Sequence, residues 1–158
     1  MVIIALDLSM NCTGYAVVDV DDDKVNLIKK GIIKKKGNES HGKRLKRQYD
    51  TLKVLREQYP DAVIVKESLH YGRAKTSAIL AKVHGVLDLL FNEETIHEYP
   101  AVTIKRIIAS NGKASKQEVE DSVNDLLAQH GIVDIIFKTD DESDAVAVAL
   151  TYYKDIVR

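Results

Sequence analysis

Asp7 closes the apolar run Val2-Ile3-Ile4-Ala5-Leu6, and Glu67 follows Ala62-Val63-Ile64-Val65-Lys66. Each carboxylate therefore lies at the mouth of a core, where an unpaired charge is costly. Asp141 and Asp144 are three apart at the start of a predicted helix, a spacing that puts both on one face. Oxygen ligands converging from rigid elements are what a hard divalent cation such as magnesium requires. Two such ions about 4 Å apart activate a water and stabilise the leaving oxygen of a phosphodiester. Softer metal chemistry finds no support. Cys12 is the only cysteine, and His41, His70, His84, His97 and His130 lie in separate segments without paired spacing. Taken singly, each acid also has a structural explanation: a helix-start aspartate is favoured by capping and the macrodipole, and a strand-end acid can pair with a lysine. The combination from three separate elements is what points to a metal. Asp140, adjacent to the pair, reads as a helix cap.

Positioning these acids requires a particular set of elements. Val2 to Leu8 is nearly unbroken in its apolar character and rich in β-branched residues, the pattern of a central strand covered on both faces. Gly14 to Val20 and Val25 to Ile33 read as the next two strands. Between them Asp21-Asp22-Asp23 reads as a hairpin turn rather than a metal site, because consecutive turn side chains do not converge on one point. Lys36 to Gly42 reads as a polar loop. Leu45, Tyr49, Leu52, Leu55 and Tyr59 then recur at helical spacing up to Pro60, predicting an amphipathic helix with a basic outer face. Ala62 to Val65 is a buried strand, and Ser68 to Lys75 a polar connection. The helix from Thr76 to Phe91 is apolar around much of its circumference, so it needs cover on more than one side, from the core or from a second copy. Thr95 to Tyr99 is a fifth strand, and Pro100 begins a short helix through Ile108. After the loop from Ser110 to Ala114, Ser115 and Glu118 stand at capping-box spacing and open a helix to His130. Ile132 to Phe137 is an apolar linker, and the last helix runs from about Asp141 to Ile156. Three strands joined by tight turns, followed by strand and helix alternation, predict an α/β fold. Its mixed five-stranded sheet has the first three strands antiparallel and helices on both faces. Residues 1–158 read as a single domain.

The net charge of −1 lacks the strongly basic footprint of a nucleic-acid binder, but the distribution is uneven. Thirteen lysines and arginines lie between Lys24 and Lys66, whereas acids crowd from Glu118 to Asp144. Such asymmetry suits a phosphate-binding surface beside a carboxylate metal site, although a solvated charge imbalance gives the same pattern. A chain of 158 residues with 45% hydrophobic content can bury one compact core. The N-terminal apolar run is too short to cross a bilayer or serve as a signal peptide, so the expectation is a cytoplasmic protein with no membrane attachment.

Ala5-Leu6-Asp7 with Thr13-Gly14-Tyr15-Ala16-Val17, Val63-Ile64-Val65-Lys66-Glu67, and Asp141-Glu142-Ser143-Asp144-Ala145-Val146-Ala147-Val148-Ala149 resemble, in order, the acidic motifs of the RuvC family. This is a family of RNase H-like resolvases that cut four-way DNA junctions. Glu98-Tyr99-Pro100 through Val102 to Lys105, and Gly112-Lys113-Ala114-Ser115-Lys116, resemble family segments beside the junction backbone. The resemblance spans nearly the whole chain. It implies an RNase H-like fold, with Asp7, Glu67, Asp141 and Asp144 holding two magnesium ions, manganese being an alternative. It also implies a homodimer that makes paired nicks in four-way DNA, leaving a 5′-phosphate and a 3′-hydroxyl. Lys116 and Lys105 match basic residues near the scissile phosphate, with Lys116 the stronger candidate for a catalytic role. Lys113, Arg73 and Lys75 are expected along the DNA. Either His70 or Tyr71 could stack on a base at the crossover.

Two departures stand out. Family members usually follow the first aspartate with proline and glycine, whereas Leu8-Ser9 stand here. The chain also ends soon after its last helix, which suggests a phage or viral member acting in a host cytoplasm. Rival readings are a broader nuclease of forks, flaps or RNA-containing duplexes, and a junction-binding module that has lost cleavage, against which the four intact acids argue. An actin-like kinase, loosely suggested by Asp7 to Gly14, would need a second domain to bind ATP, and no nucleotide cofactor is expected.

Overall fold

The structure, a computed structural model, describes residues 1–70 and 72–156. Five strands form one sheet: β1 (Val2–Asp7), β2 (Cys12–Asp21), β3 (Lys24–Lys34), β4 (Val63–Glu67) and β5 (Ile96–Tyr99), in the order β3-β2-β1-β4-β5. β1 pairs antiparallel with β2, and β2 antiparallel with β3, while β1, β4 and β5 run parallel. The mixed five-stranded sheet predicted from the sequence is therefore present. The hairpin falls at the acidic triplet, where Asp22 takes a positive φ of 50°, a conformation that aspartate tolerates.

Among the described residues five helices cover the sheet: α1 (His41–Gln58), α2 (Ala74–Leu90), α3 (Ala101–Ala109), α4 (Lys116–Gln129) and α5 (Asp140–Ile156). Strand alternation assigns the faces. Ile4, Leu6, Val17 and Ile64 pack with Leu52 and Leu55 of α1 and with Val83 and Leu87 of α2. Ile3, Ala5, Ala16, Val18 and Val65 pack with α3, α4 and α5. α1 begins earlier than its apolar period suggests, because Ser40 accepts a hydrogen bond from the Lys43 amide and caps it. α2 likewise takes in Ala74 and Lys75 from the predicted connection. The segment 132–137 forms no strand. No helix among the described residues is long and apolar enough to cross a membrane.

α5 is the helix most completely enclosed, with every residue from Ala145 to Tyr153 buried. It lies between the sheet and the α3–α4 pair, and alanines at 145, 147 and 149 let its backbone come close. The closest approach is at its start. Gly14 pairs with Asp7 across β1–β2, and a Cβ there would sit 1.9 Å from the carbonyl oxygen of Asp141. That oxygen is backbone and cannot swing aside, so only glycine permits α5 to begin at this point. Gly14→Ala is expected to destabilise the fold by about 2–4 kcal/mol, seen as a fall of roughly 5–15 °C in melting temperature. A melting curve unchanged from wild type would show that α5 can retreat without loss.

Candidate active site

Period-two alternation carries Asp7 onto the α5 face with Ile3 and Ala5, and Glu67 onto the same face with Val63 and Val65. Because β1 and β4 are parallel neighbours, with Ala5 beside Val65 and Leu6 beside Lys66, both acids emerge at the same end of the sheet. α5 starts against Gly14 at that end, bringing Asp144 with it. A pocket of about 290 Å³ results, lined by Asp7, Glu67 and Asp144, by Lys105 of α3 and Lys116 of α4, and by apolar Ala101, Ile104 and Val119. Asp141 lies outside this lining but close enough for its charge to act on Asp7 and Asp144.

The electrostatics of this pocket are those of a site short of positive charge. Burial, then the carboxylates of Asp144, Glu67 and Asp141, pushes Asp7 up from 3.8 to about 7, with Lys116 opposing. Burial raises Asp144 to about 6, against the pull of Lys116 and with Asp140 and Asp141 adding to it. Glu67 is raised by burial and by Asp144, while Lys105 and His70 lower it. Among the described residues Asp7, Glu67 and Asp141 form no ion pair, and no three acid, histidine or cysteine side chains stand close enough to make a ready-made metal cage. The donor set is all oxygen, partly buried and overcharged, which fits a hard divalent cation and not a softer metal.

The basic side chains are placed unequally. Lys105 donates to the carbonyl of Ala114 at 2.7 Å, which fixes its ammonium at the rim. Lys116, in the first turn of the helix capped by Ser115 and Glu118, pairs with Asp140 and lies 4.0 Å from Asp144. Asp140 thus turns its carboxylate to Lys116, and the accompanying hydrogen bond holds its pKa below the usual range. His70 is exposed beside Glu67. Lys113, Arg73 and Lys75 are exposed and do not line the pocket. Tyr71 lies outside the described residues.

Sequence reasoning missed the supports of this site. Glu142, between the two aspartates of α5, is 4% exposed and accepts from Lys30 Nζ at 2.7 Å and from the Lys138 amide at 2.9 Å. Burial alone would raise its pKa, but these donors hold it below the ordinary value. Burial and a hydrogen bond to Asp141 push the Cys12 thiol up to about 12. The loop after Asp7 replaces proline and glycine with a hydrogen-bonded turn. Ser9 N donates to Thr13 Oγ1 at 3.0 Å, and Ser9 Oγ accepts from the amides of Asn11 and Cys12. Buried Gln48 donates to the Ser9 carbonyl at 2.9 Å and accepts from Thr13 Oγ1 at 3.0 Å. Lys66, counted among the basic residues, is instead 2% exposed on the opposite face, where Nζ meets Glu98 at 2.9 Å and donates to His84 Nδ1 at 3.0 Å. Only polar residues at hydrophobic spacing, Gln48, Lys66 and His84, could have signalled these contacts.

A family model described as Crossover junction endodeoxyribonuclease RuvC matches residues 3–152. The chain belongs to the RuvC family. The crossover junction endodeoxyribonuclease RuvC of Ehrlichia ruminantium (strain Welgevonden) is 33% identical over 164 residues, covering 99% of this chain and 98% of that protein. Its counterpart in Dictyoglomus thermophilum is 30% identical over 156 residues, covering 96% of each. The solved structure of T. thermophilus RuvC in complex with a Holliday junction substrate superposes with a TM-score of 0.86 at 20% identity, covering 99% of this chain and 95% of that one. The Fowlpox virus resolvase with its junction DNA gives 0.54 at 15% identity, each chain covered in full. The RNase H-like fold expected from the resemblance is thus present in this RuvC-family chain. Since it spans almost the full length of both bacterial relatives, its size does not set it apart from bacterial members.

The raised pKa of Asp7 has a measurable consequence for stability. Protonated Asp7 costs nothing at low pH, and its destabilising effect grows as pH rises from its unfolded value near 3.8 through about 7. In chelator at pH 8, Asp7→Asn is expected to melt a few degrees above wild type, the gain vanishing near pH 4. Equal melting temperatures at both pH values would mean that the acids do not strain the fold.

Proposed function

We propose that this chain is a metal-dependent, structure-selective endonuclease, residues 1–158 acting as one nuclease domain that resolves four-way DNA junctions. The observation that carries the reading is the pocket in which Asp7, Glu67 and Asp144 face Lys105 and Lys116 at one sheet end, in a chain of the RuvC family. Asp7, Glu67, Asp141 and Asp144 would hold magnesium, or manganese, two ions to a site. Such ions supply Lewis-acid polarisation of a phosphodiester and lower the pKa of a water.

The chain's own residues do the rest. Lys116, already drawn to Asp140 and Asp144, offers its ammonium to a non-bridging phosphate oxygen as negative charge builds on phosphorus. Lys105, tethered to the Ala114 carbonyl, holds the strand at the other side of the pocket. Water oxygen bonds to phosphorus as the bond to the 3′-oxygen breaks, leaving a 5′-phosphate and a 3′-hydroxyl. Ile104, Val119 and Ala101 form the apolar wall that limits competing water. Lys113, Arg73 and Lys75 line the DNA path beyond the pocket, and His70 or Tyr71 stacks near the crossover.

A four-way substrate presents two symmetric strands, and a homodimer would supply two such sites. α2 supports this assembly: Leu89 is 69% exposed, and Ile79, Leu80 and Val86 are only partly covered in one copy. Action on intracellular DNA would place the protein in the cytoplasm.

A synthetic four-way junction beside a matched linear duplex, with magnesium or with chelator, tests the reading. Paired, magnesium-dependent nicks confined to the junction are expected. Asp144→Asn should slow them by about 100-fold or more while junction binding persists. Unimpaired cleavage by the variant would remove Asp144 from the site. Tight binding without cleavage by wild type would indicate a binding module, and equal cutting of all substrates a general nuclease.

A further inference from the structure

The sheet end that carries the carboxylates also carries a second, oppositely charged feature on its far side. Across that end the strands present, in order, Lys34 of β3, Cys12 of β2, Asp7 of β1 and Glu67 of β4. Of the thirteen basic residues from Lys24 to Lys66, six are already engaged. Lys30 pairs with Glu142, Lys46 with Asp50, Arg47 with Glu39, Lys53 with Glu57 and Arg56 with Glu94, and Lys66 is buried. Lys34, Lys35, Lys36 and Lys43 are exposed and, among the described residues, form no ion pair. Glu39, the one acid inside this group, pairs with Arg47 and accepts from the Lys36 amide at 2.9 Å, so it forms no ion pair with any of the four lysines.

These lysines are not on a loose loop. The Lys35 amide donates to the Asn11 carbonyl at 2.9 Å, Arg44 donates to Asn11 Oδ1 at 2.7 Å, and Arg47 reaches the Lys34 carbonyl. Gln48, one helical turn on, grips Ser9 and Thr13 of the turn that follows Asp7. The basic shelf and the first carboxylate are therefore parts of one hydrogen-bonded unit with a fixed separation. Asp7 is level with Gly14 and Ile32, so Lys34 lies two strands across and two residues further along, about 12 Å away at roughly 4.8 Å per strand and 3.4 Å per residue. Along duplex DNA that spans about three to four nucleotides at 3.4 Å each.

We infer that Lys34, Lys35, Lys36 and Lys43 form a second DNA-backbone site at the β3 edge of this sheet end, which grips phosphates of one junction arm from about three to four nucleotides beyond the cut. The contact is to phosphate and independent of base sequence, since flexible lysines on an exposed edge read charge and not base edges. This inference rests on the endonuclease reading and deepens it: the pocket cuts, and the shelf sets which phosphate enters by holding the arm at a fixed distance.

The test is the salt dependence of DNA binding. In an Asp144→Asn background with magnesium, Lys34→Gln/Lys35→Gln/Lys36→Gln/Lys43→Gln is compared with Lys46→Gln/Lys53→Gln, whose lysines share α1 with Lys43 but are already paired. Each lost phosphate contact should reduce the slope of log affinity against log salt by about 0.9. The quadruple variant is expected to lose about 2–4 in slope and at least tenfold in affinity, while the control stays within 0.5. In the otherwise wild-type enzyme the quadruple change should raise KM and leave kcat within about twofold. Equal slopes for quadruple variant and parent, or an equal loss in the control, would overturn the shelf. Should the parent bind junction and linear duplex alike, the junction reading fails, and the slopes measured on duplex still decide whether the shelf grips DNA.

Discussion

Asp7, Glu67, Asp141 and Asp144 repel one another across the end of the sheet, and with no counter-charge among them the chain would gain by letting them part. Everything near the site resists that separation. Parallel pairing of β1 with β4 fixes Asp7 beside Glu67, and backbone hydrogen bonds there cannot be exchanged for a wider spacing. Gly14 lets α5 start against the sheet, and the N-terminal end of that helix favours negative charge, offsetting part of the repulsion. Lys105 and Lys116 approach without neutralising the group, which leaves a charge deficit for a divalent cation to fill.

Several contacts with no place in the chemistry become intelligible from this constraint. Glu142 adds another acid to the same helical turn, yet its carboxylate points away to Lys30 and the Lys138 amide, so it ties α5 to β3 and to the preceding linker. Removing the Lys30 ammonium would leave the buried Glu142 carboxylate without its counter-charge, a loss of about 3–5 kcal/mol. Lys66 does the corresponding work for β4: its side chain is held on the opposite face by Glu98, Asp88 and His84, and Glu67 next to it can only face the pocket. Burial and the Lys66 charge both lower the pKa of His84, in keeping with a neutral ring that accepts from the lysine.

Much of this was legible from residue types alone. The unbroken apolar runs before Asp7 and Glu67 marked the strands, the Ser115 and Glu118 pair marked the start of α4, and the acidic triplet marked the hairpin. The three-residue interval between Asp141 and Asp144 predicted a common face; the structure brings Asp144 into the pocket and leaves Asp141 beside it, nearer Cys12. Long-range polar pairing was not legible. Nothing local to Gln48 announces that it will clasp a turn 35 residues earlier, and nothing local to Lys30 announces a partner at Glu142. Charge counting over the basic segment overstated the binding surface for the same reason, since intramolecular acids pair six of its thirteen basic residues.

The enclosure of α5 has a further meaning for how the molecule moves. A helix covered by the sheet on one side and by α3 and α4 on the other cannot open by local fraying, so the amides from Ala145 to Tyr153 should exchange with solvent only when the entire fold comes apart. The acidic floor of the pocket then belongs to the last cooperative unit to unfold. Lys105 and Lys116, by contrast, ride on shorter helices near a surface loop, and whatever adaptation to a substrate occurs during a catalytic cycle must be drawn from that more yielding side.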